Sequence, residues 1–139
     1  MSDAKSDYFE NGILKVIFKG EDLGSVILAG AATNLYFALH KAPIGEGGNQ
    51  STNEVSYTGY ARVSCDRSSD WTVSGNTATY NSTLTFPTCT GGVAIVSYIS
   101  IGLESSGAGQ ILYHGELNPT IHVRDGRTPQ ILNLKVQEK

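Results

Sequence analysis

The chain has 139 residues, enough for one domain with its own hydrophobic core and too few for two full domains. Hydrophobic residues make up 40% and charged residues only 17%, below the usual charged share of about 25%, so disorder is excluded and the polarity is carried by Ser, Thr, Asn and Gly. A net charge of −3 without any basic segment removes the electrostatic basis for binding nucleic acid, which needs a cationic face that displaces counterions.

The N-terminal stretch carries Asp3, Asp7 and Glu10 where a secretory signal needs basic and then apolar residues. Residues 7–19 read as a helix. Asp7 with Glu10 fits a capping box, and Phe9, Ile13, Val16 and Ile17 recur at helical spacing on one stripe, widened by Leu14 and Phe18. Gly20 is a C-terminal stop. Gly12 costs about 1 kcal/mol relative to Ala in such a helix, so tertiary contacts are expected to hold it. The apolar stripe makes Phe9, Ile13, Val16 and Ile17 candidate subunit-docking residues.

The period then changes from 3.6 to 2. Residues 34–40 alternate Leu35, Phe37 and Leu39 with Tyr36, Ala38 and His40, as a core strand does. Residues 43–53, PIGEGGNQSTN, read as an exposed polar loop suited to mobility or partner contact. Residues 57–65 resume a strand, and 71–73 with 77–80 flank a hairpin turn at Ser74, Gly75 and Asn76. A short strand over 82–86 stops at Pro87. Residues 93–101, VAIVSYISI, lie between Gly91-Gly92 and Gly102 and read as a central strand buried on both faces. This run is about half the length a membrane-crossing helix needs, so no membrane span is expected. Strands over 110–115, 120–123 and 130–136, with a turn at Asp125-Gly126, complete the chain.

Short strands at intervals of about ten residues, separated by Gly, Asn, Asp and Pro turns, predict a mainly β fold: an antiparallel β-sandwich, Ig-like or jelly-roll-like, with one N-terminal α-helix. The expected organisation is a single domain over 1–139, with the helix at 7–19 as a docking appendage and the sandwich over 34–137.

Catalytic signatures are sparse, and no catalytic residue, cofactor or metal ligand is assigned. His40, His114 and His122 fall on separate predicted strands without metal-ligand spacing. A GxSxG nucleophile elbow is missing, and Ser105 to Gly109 lacks the Lys and helix of a phosphate loop. Asp66 and Asp70 read as a solvated turn rather than a calcium loop. Cys65 and Cys89 read as two buried reduced thiols, a cross-strand disulfide being the alternative. Trp71 reads as a core anchor. Tyr57, Tyr60, Asn49 and Gln50 are the candidate exposed contacts.

Several segments carry a family resemblance: Asp7-Tyr8-Phe9-Glu10-Asn11, Leu35 to His40 (LYFALH), Ser56 to Val63 (SYTGYARV), Phe86 to Gly92 (FPTCTGG), Ser106 to Leu117 (SGAGQILYHGEL) and Thr128-Pro129. Together they resemble the small virion proteins of tailed bacteriophages called tail-fibre or minor structural proteins. The resemblance implies a non-enzymatic component of the virion, made in the bacterial host and contacting other phage virion proteins. Heptads, collagen triplets and β-helical repeats are lacking, so the leading expectation is a small homo-oligomeric accessory or decoration protein on the head, neck or tail. The alternative is a tail-fibre module binding a host-surface glycan or receptor.

The charge deficit is local. From Trp71 to Leu103, thirty-three consecutive residues contain no Asp, Glu, Lys or Arg. Charges normally guard exposed strands against pairing, so this run is expected to be covered by copies of the chain or by the particle.

Overall fold

The computed structural model describes residues 3–19, 34–67 and 69–137. The elements are β1 (Asp3–Lys5), α1 (Asp7–Lys19), β2 (Asn34–His40), β3 (Val63–Asp66), β4 (Trp71–Ser74), β5 (Thr77–Tyr80), β6 (Leu84–Thr85), β7 (Val93–Gly102), β8 (Ile111–Arg124), β9 (Gln130–Ile131) and β10 (Lys135–Gln137). All strand pairs are antiparallel. They form a five-stranded sheet in the order β1-β8-β7-β2-β3, a three-stranded sheet β10-β5-β4 and a two-stranded sheet β6-β9. Among the described residues the fold is therefore mainly β with one helix near the N-terminus, as expected, and its arrangement is sandwich-like.

The core lies between the large sheet and the two small ones. Phe37 and Leu39 of β2, Val96, Ile99 and Ile101 of β7 and Val123 of β8 meet Leu84, Phe86, Leu134 and Val136 from the opposite layer. Trp71 anchors this core as predicted, with its ring 5.9 Å from Phe37 and 5.4 Å from Tyr80. Cys65 and Cys89 are both free and buried, and burial pushes the Cys65 thiol up. The hairpin β4–β5 closes through Gly75 and Asn76; Gly75 takes φ +61°, the left-handed geometry a two-residue hairpin turn requires.

The helix spans the predicted residues 7–19, but its cap lies one residue earlier than predicted. Ser6, not Asp7, is the N-cap: its Oγ accepts the Phe9 N–H at 3.2 Å, and its carbonyl accepts the Glu10 N–H at 3.0 Å. The same hydroxyl donates to the Ile111 carbonyl, so one buried side chain fixes both the helix start and its seat on β8. Phe9 packs with Leu112, against half-buried Ile13 and edge-on to Tyr113 at 5.2 Å. Phe18, expected to widen the stripe, is 76% exposed. The side chains of Leu14, Val16 and Ile17 lie outside the described residues, as does Gly20. Ser6→Ala should cost about 2 kcal/mol, combining a lost cap with an unpaired buried carbonyl. Chemical denaturation checks this, and a cost under about 0.5 kcal/mol would refute the double role.

Several strand expectations need correction. Residues 3–5, polar and without pattern, pair with Tyr113 to Gly115 as β1. The predicted strand over 57–65 contracts to β3, because residues 57–62 instead turn through a bridge between Thr58 and Gly91. The strand over 82–86 is two residues long, and 130–136 divides into β9 and β10 around Asn133, whose φ is +55°. Conversely, 110–115 and 120–123 merge into the fourteen residues of β8.

The run at 93–101 is central, yet buried on both faces only in its second half. A bulge at Ser97 interrupts the register between Val96 and Tyr98. One extra residue reverses which side chains face the core. Ala94 and Val96 thereby join Ile99 and Ile101 on the core face, while Val93 and Ile95 emerge on the other, 80% and 54% exposed.

Candidate functional site

The sequence placed function on the loop at 43–53, and the structure buries Ile44 and Gln50 of that loop while leaving Glu46 and Gly47 exposed. It returns along β2 through a bridge between His40 and Glu54, with Lys41 N–H donating to the Asn53 carbonyl at 2.8 Å and Val55 N–H to the Leu39 carbonyl at 3.0 Å. Three polar groups hold it to the body of the fold: Gln50 from the loop itself, His40 of β2 and Glu54 just beyond the loop.

Gln50 is wholly buried. Its N–H donates to the Gly109 carbonyl at 2.8 Å, and its Oε1 accepts the Glu104 N–H at 3.0 Å. The side chain lies directly on Gly102 and Gly109, where any Cβ would overlap its amide. Both glycines are therefore required for close approach rather than for turn geometry.

His40 is also wholly buried. Its Nδ1 lies 2.8 Å from the Thr52 carbonyl and its Nε2 2.8 Å from Ser100 Oγ. A carbonyl only accepts, so Nδ1 carries the proton and Nε2 accepts from Ser100. Burial is the main cause that holds the imidazole below its ordinary value of 6.5; Arg62 and His114 push the same way, against the Thr52 hydrogen bond and Glu54.

Glu54 forms the third group. Its carboxylate receives Arg62 Nε and Nη2 at 2.8 Å each, and the Tyr60 hydroxyl at 2.6 Å. The same guanidinium reaches the Glu104 carbonyl at 3.1 Å and the Gly107 carbonyl at 2.6 Å. The Tyr60 oxygen accepts the Leu39 N–H at 3.2 Å, and burial is the main cause raising its pKa. Two loops, 43–54 and 103–110, are thus tied together through side chains of β2 and of the segment leading into β3.

These positions revise the candidate contacts. Gln50 is fully buried, Tyr57 is 4% exposed, and Tyr60 is half-buried with its hydroxyl engaged. Tyr57 donates to the Pro87 carbonyl at 2.7 Å, and burial pushes its pKa up to about 12. Asn49 is half-buried and shapes the turn, its Oδ1 accepting the Ser51 N–H at 2.9 Å. None of the four is a freely presented ring or amide. The composition of the loop suggested solvent exposure, whereas Gln50 is held by Glu104 and Gly109, more than 50 residues distant, a pairing that no local pattern encodes.

His40 and Ser100 have the hydrogen bond of a nucleophile and base, but both are 0% exposed. A substrate carbonyl needs to reach the serine oxygen, so in this packing the pair acts as a pin between loop and sheet. His114 and His122 share β8, correcting their separate placement, and His114 is the cross-strand neighbour of Ser100. The carboxylates of Asp7, Glu10 and Glu46 converge with oxygens within 4.8 Å of one another, all three residues exposed. An apolar cleft of about 320 Å³ opens between the β4–β5 hairpin and the large sheet, lined by Leu35, Trp71, Val73, Ala78, Tyr113 and Val136. No described helix is long and apolar enough to cross a membrane.

With that geometry in place, comparison with known proteins gives one family. Residues 4–137 match the family model described as Podophage GP4 fiber I protein gp80. No curated protein matches the chain.

Proposed function

The chain belongs to that podophage fiber family, and from this premise we propose that it serves as a small accessory subunit of the virion, held in place by neighbouring proteins and by copies of itself. The family makes it a structural component of a phage particle; its position on the particle and its contacts are our reading. The carrying observation is the match across residues 4–137. The buried polar groups support it. His40, Ser100 and Gln50 are sealed and the Glu54–Arg62 pair is spent on loop carbonyls, which suits a rigid part better than a catalyst.

We assign docking against neighbours to α1. Phe9 is packed on β8 and Ile13 is half-buried beside it, so the contacts fall to the opposite face, where Phe18 is 76% exposed; Val16 and Ile17, whose side chains lie outside the described residues, stay docking candidates on the sequence pattern alone. Phe18→Ser should reduce incorporation into particles several-fold while leaving the unfolding midpoint unchanged. Quantitative mass spectrometry of purified virions from a complemented deletion strain measures this. Normal incorporation of the variant would remove α1 from the docking role, and absence of the wild-type chain from virions would remove the function itself.

A further inference from the structure

The outer face of the large sheet differs along its length. Beside the loops, Ala38, His40 and Ser100 are 0% exposed. At the other end, β7 and β8 continue as a two-stranded ribbon beyond the last β2 partner at Tyr98. There Val93 and Ile95 stand exposed, paired across the strands with Arg124 and His122, which are exposed as well. Exposed Arg127 extends this basic rim, its Nη1 3.5 Å from the His122 carbonyl; Asp125 is the single acid in the adjoining turn.

The opposite charge lies at the opposite end of the same molecule. Asp7, Glu10 and Glu46 cluster where α1 starts, beside Leu112. Leu112 and Arg124 are separated along β8 by about 40 Å at roughly 3.3 Å per residue. Screening confines charge attraction to about 8 Å at physiological salt, so the two patches cannot satisfy each other within one chain. Pairing of two ribbons about a two-fold axis would gather the arginines of both copies, which like charges oppose.

We infer that the Val93–Ile95 ribbon docks against the acidic α1 end of a second copy, joining copies head to tail. This deepens the proposed virion role, on which it rests for its setting. The aliphatic pair supplies apolar burial, and Arg124 with Arg127 facing Asp7, Glu10 and Glu46 fixes orientation. Such a contact is heterologous, so successive copies extend as a row or close as a ring according to the rotation between them.

Disulfide trapping of the purified full-length chain tests the inference without reference to the particle. Val93→Cys and Gly47→Cys are both on exposed positions, and a Cβ at Gly47 meets only Asp7 Oδ2, at 3.9 Å. Mixed under mild oxidation at low salt, these variants should form the heterodimeric disulfide at least about tenfold faster than either forms its own homodimer. Arg124→Glu on the Val93→Cys chain should cut that rate about tenfold, and Glu46→Lys on the Gly47→Cys chain should restore it. A Val93→Cys homodimer as the main product means that ribbons pair with themselves. Crosslinking no faster than an exposed Ser105→Cys control means that the ribbon meets something other than this chain. Either result overturns the inference, and incorporation into virions remains a separate measurement.

Discussion

Glu54→Ala is expected to lower stability by about 3–5 kcal/mol, the cost of removing one partner from a buried ion pair. The Arg62 side chain is 3% exposed and that of Glu54 17%, so water cannot replace the lost carboxylate. Three hydrogen bonds disappear together, two from the guanidinium and one from the Tyr60 hydroxyl. Arg62 would keep only the carbonyls of Glu104 and Gly107, which do not neutralise its charge. The damage should reach the 103–110 loop, since the guanidinium that holds that loop is the group left uncompensated. Urea unfolding gives the magnitude, and limited proteolysis at 104–108 reads the loop. Glu54→Gln keeps acceptor geometry without the charge and should fall between wild type and Ala. A loss below about 1 kcal/mol for Ala, with the loop still protected, would mean that this pair is screened by solvent and that Gln50 alone ties the loops.

Parts of this architecture were legible because their signals are local. The helix shows its stripe within thirteen residues, and the β4–β5 hairpin carries its turn chemistry at Gly75 and Asn76. Strand β2 alternates Leu35, Phe37 and Leu39, of which Phe37 and Leu39 are in the core and Leu35 is packed against it. What escaped the sequence depends on partners distant along the chain. β1 exists because β8 offers an edge, and nothing in Asp3-Ala4-Lys5 marks it as a strand. Ser6 acts as the cap because its hydroxyl also finds the Ile111 carbonyl, whereas Asp7 and Glu10 match the capping pattern equally well one residue later. The bulge at Ser97 was hidden for another reason. Alternation cannot be seen in VAIVSYISI, where nearly every residue is apolar, so a change of facing leaves no trace.

The candidate contacts failed on similar physical grounds. Polar composition predicts exposure only when polar groups have no internal partners. Gln50, Tyr57 and Tyr60 all have them, in Glu104, Pro87 and Glu54. The uncharged run from Trp71 to Leu103 is resolved more finely. Many of its apolar residues are core, since Leu84, Phe86, Cys89, Val96 and Ile99 are almost fully buried. The part that needs covering is reduced to a few side chains, Val73 at the hairpin and Val93 with Ile95 on the ribbon. An absence of charge therefore has two causes in this chain, and only exposure separates burial in the core from readiness for a partner.

The second large effect concerns His40. His40→Ala should cost about 3 kcal/mol, because it opens a cavity and leaves both the Thr52 carbonyl and the Ser100 hydroxyl without their buried partner. The wild-type protein should show the same group through pH. Burial holds the imidazole below its ordinary 6.5, so the folded state keeps it neutral where the unfolded chain already binds a proton. Below about pH 6.5 the unfolded state binds more protons, and stability rises with pH there. The contribution is thus fully present above pH 6.5 and is lost progressively as pH falls towards the folded value, by at most about 1.4 kcal/mol per pH unit for one proton. Protonation also reverses a hydrogen bond. Nε2 would become a donor, Ser100 would have to accept in place of donating, and its own proton would need a new acceptor in a fully buried site. Urea midpoints measured between pH 8 and 4.5 on the wild type and on His40→Gln test both points, with carboxylate titration common to the two. The difference between the curves should be flat above pH 7 and should narrow below pH 6.5, as the wild type loses the advantage of its neutral histidine. Parallel curves across the whole range would show that the proton is accepted without cost, and the loop at 43–54 would then be held by Gln50 and Glu54 rather than by the histidine pin.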